Sequence, residues 1–256
     1  MGDVLELIDD FCDAVPRSRC TATDDGPLRL FVRNGPGWPF YARPVPGGGP
    51  VTPADVERVR ARQRELEVAE AFEWVLAAAP TMADAVAATG LSVQVCPLLT
   101  LDGDPAPAPL PPGYTVRLLG PVDGDLPTAA HAVSRVTSAA FGGRPPAAPS
   151  DADLADLRAD LAAGATARAL VTGPEGPVAA GSAQRAGDVV ELTGIGTAIA
   201  FRGRGLGAAV TAALARAARD AGAGLVFLAA ADDAASRVYQ RVGFGRVGEC
   251  GIAEQA

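Results

Sequence analysis

Phe201–Val210 reads FRGRGLGAAV, and the reading of this stretch decides what the rest of the chain is. Gly203, Gly205 and Gly207 stand at alternate positions, with Arg202 and Arg204 among them. An alanine-rich run with helical spacing follows and is stopped by Gly222. Glycines let the main chain approach a ligand without a side-chain clash. Their amides, placed at the start of a helix, favour an anion, and flanking guanidinium groups add charge at the rim. A plain turn from strand to helix needs one glycine, not three. The pattern predicts a cradle for a diphosphate.

Two cofactor classes use such a cradle. Gly203, Gly205 and Ala208 fit the dinucleotide pattern G-x-G-x-x-G/A. That pattern belongs directly after the first strand of a long βα series. Here Ala198–Arg202 separate the preceding strand from Gly203, and only about 50 residues follow, too few for that sheet. Arg202-x-x-Gly205-x-Gly207 fits the second pattern, R/Q-x-x-G-x-G/A opening a helix.

Upstream of the loop, ARALVTG, PVAAGSAQR and DVVELTGIGT read as successive strands joined by Gly/Pro turns. DLPTAAHAVSRVTSAAF and SDADLADLRADLAAG have helical spacing, the second capped by Ser150. Downstream, LVFLAA reads as a buried strand, DDAASRVYQRVG as a helix closed by Gly243, and FGRVGECGIA as a terminal strand pair. Strands with helices between them predict α/β, or α+β, architecture.

The proline-rich stretch LDGDPAPAPLPPG, Leu101–Gly113, suits a stiff linker. It divides the chain into an N-terminal α/β domain at 1–101, a linker at 102–113 and a second domain at 114–256. In the first part, PLRLFVRNGPGWPFYARP reads as a hairpin, and Trp38, Phe40 and Tyr41 could line a pocket or pin the hairpin. Thr52 and Pro53 open a helix that passes into a strand at AFEWVLA. A short helix, Gly90 and the strand LSVQVCPLLTL follow. This order repeats the order after Arg202, a weak internal repeat.

Bulk properties narrow the function. A net charge of −8 over 256 residues disfavours nucleic acid as a partner. Cys12, Cys20, Cys96 and Cys250 form no C-x-x-C pair, and His131 is the only histidine, so no metal site and no disulfide framework are expected. The acidic start, MGDVLELIDDFCDAV, is not a signal peptide, and no apolar run is long enough to span a bilayer. The expectation is a cytoplasmic protein that does not bind membranes. The Arg58, Arg60, Arg62 and Arg64 run alternates with glutamates and reads as a solvated helix face.

From Tyr114 onward the chain resembles the GNAT superfamily, the acyl-CoA-dependent N-acetyltransferases. Two motifs carry the resemblance: Arg202 to Gly207, and Ala235-x-x-x-Tyr239-x-x-x-Gly243-Phe244. The resemblance implies a GNAT fold, a mixed, mostly antiparallel sheet whose fourth and fifth strands splay to admit acetyl-CoA. It places Ile195, Gly196 and Thr197 beside the pantetheine arm. It places Arg202, Gly203, Arg204, Gly205, Leu206, Gly207 and Ala208 at the diphosphate. Asp232 and Ser236 fall in the cofactor set as well, although many relatives carry asparagine where Asp232 stands. The N-terminal part would be a degenerate half of the same fold. Its corresponding stretch, RPVPGGGPVTP, is broken by prolines, and Val86 replaces the tyrosine, so no second catalytic centre is expected.

Acetyl transfer to an amine needs a neutral amine, donors for the oxyanion and a proton for the departing thiolate. Tyr239 suits the last task, since phenol and thiol pKa values are about 10 and about 8.5. It could instead be a packing residue of its helix. Glu191 is the candidate base. Strand alternation puts residues 191, 193, 195 and 197 on one face, so Glu191 should flank the acyl group. A solvated carboxylate, with water as base, is the alternative. His131 falls on the helix where relatives build the acceptor site, although a lone helical histidine more often packs. The expected function is acetyl transfer from acetyl-CoA to a primary amine of a small molecule. Alternatives are a protein lysine or N-terminal acetyltransferase, and a non-catalytic acyl-CoA-binding regulator. The first domain would complete the acceptor pocket or make a homodimer contact.

Overall fold

The computed structural model describes residues 4–35 and 40–255. Trp38, which the sequence reading placed in a hairpin turn, lies outside the described residues. By its contacts the chain sorts into two units, each built from separated stretches of sequence. The first holds Met1–Leu98, Ala229–Asp232 and Arg246–Ala256; the second holds Leu99–Leu228 and Asp233–Gly245. The proline-rich segment 102–113 lies inside the second.

In the first unit, α1 (Val4–Ala14) precedes β1 (Cys20–Asp25), β2 (Leu28–Arg33) and β3 (Ala42–Pro44). The expected hairpin is β2 and β3, paired antiparallel from Leu28↔Pro44 to Leu30↔Ala42. Phe40 and Tyr41 stack edge to face at its base, with centroids 6.2 Å apart. Sequence reasoning missed β1. Four of its six residues are exposed, so it carries no apolar alternation. It folds onto β2 across Gly26, whose φ of +58° makes the tight turn.

α2 (Pro53–Glu65) starts at the capping box of Thr52 and Asp55, with Pro53 in the first turn. β4 (Ala71–Val75), α3 (Met82–Ala87) and β5 (Val93–Leu101) follow. Phe72 and Trp74 of β4 pack with Val56, Val59, Met82 and Val86 in one apolar core. The opposite face of β4 carries Glu73. β3 and β4 run parallel and pair at Ala42↔Phe72.

The second unit holds β6 (Thr115–Leu118), α4 (Leu126–Ala140), α5 (Asp151–Ala163), β7 (Thr166–Gly173), β8 (Gly176–Ala186) and β9 (Val189–Thr197). α6 (Leu206–Asp220), β10 (Leu225–Ala229) and α7 (Asp233–Gln240) complete it. The strand order is β10-β9-β8-β7-β6. The pairs are antiparallel except β9 with β10, which are parallel. α4 and α5 cover one face, where Leu126, Val133, Leu154 and Leu157 pack on Leu170 and Ala180. α6 covers the other, with Val210 and Leu214 against Gly181. Ser150 and Asp153 cap α5, and Gly164 ends it in the left-handed conformation.

The expected terminal strand pair is one strand, β11 (Phe244–Glu254). None of Gly245, Gly248 and Gly251 has a positive φ. Two of them instead make room. A β-carbon on Gly248 would meet Leu5 Cδ2 at 2.8 Å, and one on Gly251 would meet Trp74 Cζ2 at 2.4 Å. From Arg246 on, β11 belongs to the first unit, where Cys250–Glu254 pair antiparallel with Val75–Ala71 of β4. The element order β1-β2-β3-α2-β4-α3-β5 thus recurs as β7-β8-β9-α6-β10-α7-β11. The parallel pair falls at the same place in each, so the internal repeat is real.

Candidate active site

The site is assembled where β9 leaves its neighbour. β10 pairs with β9 only at Leu225↔Val189, Val226↔Val190 and Phe227↔Glu191. β9 continues to Thr197, so its edge past Glu191 has no β10 partner. A strand edge opened in this way presents free amides and carbonyls to a ligand.

A bulge sits in that stretch. Ser182 pairs with Thr193 and Ala180 with Gly196, so Gly194 and Ile195 together face the single residue Gly181. Gly194 takes φ +62°, which a side chain would strain. The bulge reverses the alternation of β9. Cross-strand partners share a face. Gln184, Ser182 and Ala180 of β8 are therefore on one face with Glu191, Thr193 and Gly196, and Ala180 packs in the α4 core. Ile195 instead packs with Val210 and Leu214 of α6 against Gly181. Thr197 lies on the α6 side too, its Oγ1 3.5 Å from a β-carbon built on Gly207. The expectation that 191, 193, 195 and 197 share a face is therefore corrected. Glu191 looks to the α4 side, and Ile195 offers the opened edge only its main chain.

The loop Arg202–Gly205 is exposed. Gly203 and Gly205 both have φ +79°, and Gly205 is the N-cap of α6, with no side chain capping it. The first helical bond runs from the Ala209 amide to the Gly205 carbonyl at 3.1 Å. The amides of Leu206, Gly207 and Ala208 precede it and are left over at the positive end of the helix. This is the geometry of an anion site.

The two arginines differ. Arg204 lies over the Phe201 ring, 5.0 Å from its centroid, and its Nη1 donates to the Tyr114 hydroxyl at 2.9 Å. Tyr114 in turn donates to Glu175 Oε2 at 3.3 Å. Arg202, also exposed, turns to main-chain carbonyls. Its Nη2 donates to the Ala140 carbonyl at 2.8 Å, its Nε to the Thr197 carbonyl at 3.3 Å, and its amide to Ile199. The charge at the rim is therefore Arg204's.

On the other side, the last turn of α4 lies on the bulge. A β-carbon on Gly196 would sit 2.7 Å from Ala140 Cβ and 3.7 Å from Phe141 Cε2, and Thr137 Cγ2 lies 3.9 Å from one on Gly194. Phe141 is 63% exposed, so an aromatic ring stands beside the opened strand. Sequence reasoning missed Thr137 and Phe141. The signal was the pair of glycines in TGIGT, which marks close approach within a strand. His131 lies earlier on α4, and its buried Nδ1 has no hydrogen-bond partner.

Tyr239 is half-buried on α7, which packs on α6. Ser236 on the same helix is buried, 4% exposed. Asp232 is exposed and belongs by its contacts to the first unit. An apolar groove of about 610 Å³ runs between Ala106–Ala108, Val116–Leu118 and Ala209–Ala217. Among the described residues no group of three or more His, Cys, Asp or Glu could hold a metal ion.

In the first unit, the corresponding helix start is closed. Asp55 accepts from the Thr52 hydroxyl and from Arg58, which hold its carboxyl below the ordinary range. A carboxylate already sits where an anion would bind.

An opened parallel pair, a bulged strand and a bare glycine-rich helix start make up the site. Residues 138–244 match the model of the acetyltransferase (GNAT) family. Members of this family transfer acyl groups from acyl-CoA. Over its whole length the chain is similar to a GCN5-related N-acetyltransferase from Kribbella flavida. The two are 24% identical, with 100% of this chain and 96% of that one covered and a TM-score of 0.75. A GCN5-related N-acetyltransferase-like protein from Streptococcus suis is 12% identical, with 99% and 95% covered and a TM-score of 0.64. A tandem GNAT protein from the clavulanic acid biosynthesis pathway is 18% identical, with 89% and 78% covered and a TM-score of 0.52. No curated protein matches the sequence significantly.

Proposed function

We propose that the second unit transfers an acetyl group from acetyl-CoA to a primary amine of a small molecule. The observation that carries this reading is the run of unspent amides at Leu206–Ala208, beside a strand edge that its parallel neighbour has left. In this reading the amides of Gly203–Ala208 take the diphosphate, with Arg204 at the rim. The main chain of Ile195–Thr197 takes the pantetheine arm and the thioester oxygen.

The acceptor enters from the α4 side, past Phe141. Its ammonium gives up a proton through water to Glu191, which faces that side. The neutral nitrogen then attacks the thioester carbon. Strand amides hold the oxyanion, a contribution of about 3 kcal/mol per donor. The carbon–sulfur bond breaks, and the Tyr239 hydroxyl supplies the proton to the departing thiolate. The nitrogen's second proton leaves to water, and the tyrosinate is reprotonated from solvent.

The test is release of free thiol from acetyl-CoA across a panel of small amines, peptide lysines and peptide N-termini. Turnover with small amines alone supports the proposal. Turnover confined to peptides moves the acceptor class, and CoA binding without any turnover makes the chain a binding protein. Binding itself reads out as thermal stabilisation, about 2.7 kcal/mol at 100 times the dissociation constant.

A further inference from the structure

Arg202 occupies the first position of the loop motif, yet its side chain is spent on the protein. Its Nη2 reaches the carbonyl of Ala140, the last residue of α4, at 2.8 Å, and its Nε reaches the carbonyl of Thr197, the last residue of β9, at 3.3 Å. Carbonyls in the last turn of a helix have no intrahelical partner, and a guanidinium there satisfies one while matching the negative end of the helix. The planar fork suits this double task. The tie fastens a surface already in close contact, since Ala140 and Phe141 lie against Gly196 with no room for a β-carbon between. One side chain thus joins three parts: the end of the opened strand, the start of the anion loop and the turn that carries Phe141.

We infer that Arg202 is a positioning residue, a clasp that transmits filling of the glycine loop by acyl-CoA to the last turn of α4 and so sets the acceptor side. The inference rests on the acyl-CoA reading of the loop. It goes further in assigning the guanidinium to α4 rather than to phosphate. The acceptor wall is then ordered by the donor substrate, which favours donor before acceptor.

Hydrogen exchange read peptide by peptide, with CoA alone as the probe, tests this without any acceptor. In the unaltered protein, saturating CoA should slow exchange at residues 203–208 and also at 137–142, by about fivefold or more. In Arg202→Ala the loop should still be protected while 137–142 gains nothing. Arg202→Lys keeps the charge without the planar fork and should also lose the response at 137–142. Once an amine is in hand, Arg202→Ala should raise its KM about tenfold and leave the CoA dissociation constant within about twofold. If CoA fails to protect 203–208 in the unaltered protein, the acyl-CoA reading falls and the clasp with it. If the loop is protected while 137–142 is unchanged or exchanges faster, the reading stands and the clasp is wrong. Full protection of 137–142 in Arg202→Ala overturns it equally, and full protection in Arg202→Lys overturns the role of the fork.

Discussion

The Tyr114 hydroxyl accepts a hydrogen bond from Arg204 Nη1 at 2.9 Å and so anchors the rim of the glycine loop to the residue that precedes β6. The ring is held in turn by Gly173, where a β-carbon would come within 2.4 Å of Tyr114 Cε1. Tyr114→Phe keeps the ring and removes the anchor. Calorimetric titration with CoA should show affinity reduced about threefold to tenfold, with stability changed by about 1 kcal/mol or less.

The loop glycines should separate by conformation. Gly205 has φ +79°, and no atom comes closer than 4.0 Å to a β-carbon built there. Gly205→Ala therefore costs backbone strain alone, about 1–2 kcal/mol. It also turns amides away from the diphosphate, lowering CoA affinity by about tenfold or more. Gly207 has no positive φ and meets only ordinary contact at Thr197 Oγ1, 3.5 Å. Gly207→Ala should bind CoA within about threefold of the unaltered protein. Equal losses at both positions would contradict the assignment.

Tyr239→Phe deletes the proton donor proposed for the thiolate and leaves the ring on α7. The kcat for thiol release should fall about 100-fold or more, with CoA affinity unchanged. A thiol of lower pKa as leaving group should recover part of the loss. Unchanged kcat would return Tyr239 to a packing role.

Glu73 on β4 makes stability depend on pH. Loss of hydration pushes its carboxyl up to about 7, and Glu254 pushes the same way. A hydrogen bond from Tyr41 and the charge of Arg43 pull it down. The folded state therefore holds a proton that the unfolded chain has released. This contribution is complete below the ordinary value of 4.5 and is lost as pH rises through about 7. It is on the order of 3 kcal/mol. Glu73→Gln keeps its stability over that range, so urea denaturation at pH 5 and pH 8 should show the two proteins diverging at the higher pH.

Arg43 is fully buried and donates from Nη2 to Asp9, while its Nε and Nη1 have no partner. Asp9→Asn removes the carboxylate hydrogen-bonded to this guanidinium and should cost about 3–5 kcal/mol. Replacing both residues by apolar ones of similar volume should cost far less. Thermal unfolding of the two variants distinguishes these outcomes.

Much of this molecule was legible because its signals are local. Thr52 and Ser150 announce helix starts through side chains that cap their own neighbours. The glycine loop announces a bare helix start in the same way. What escaped depends on residues far apart in the chain. Glu191 was assigned to the wrong face because regular alternation breaks at Gly194, and the break is visible only in the pairing with Ser182 and Ala180. The stretch from Phe244 was read as a strand pair rather than one strand, because the side chains that Gly248 and Gly251 make room for, Leu5 and Trp74, lie far away in sequence. β1 escaped because it is a mostly exposed strand without an apolar stripe. Arg202 was read as a phosphate ligand because its carbonyl partner Ala140 is not adjacent in sequence.

The place of the final strand has a consequence for biosynthesis. Cys250–Glu254 close the bonding edge of β4, so the sheet begun by the first hundred residues stays unfinished until residues 250–254 have been made. A nascent chain stalled before Arg246 would carry β4 with a naked rim, open to pairing with another copy. Chaperone occupancy of stalled ribosome complexes should therefore drop only when the codons for residues 246–254 have been read. Attempts to express the front portion in isolation should yield inclusion bodies unless the closing peptide is supplied in trans.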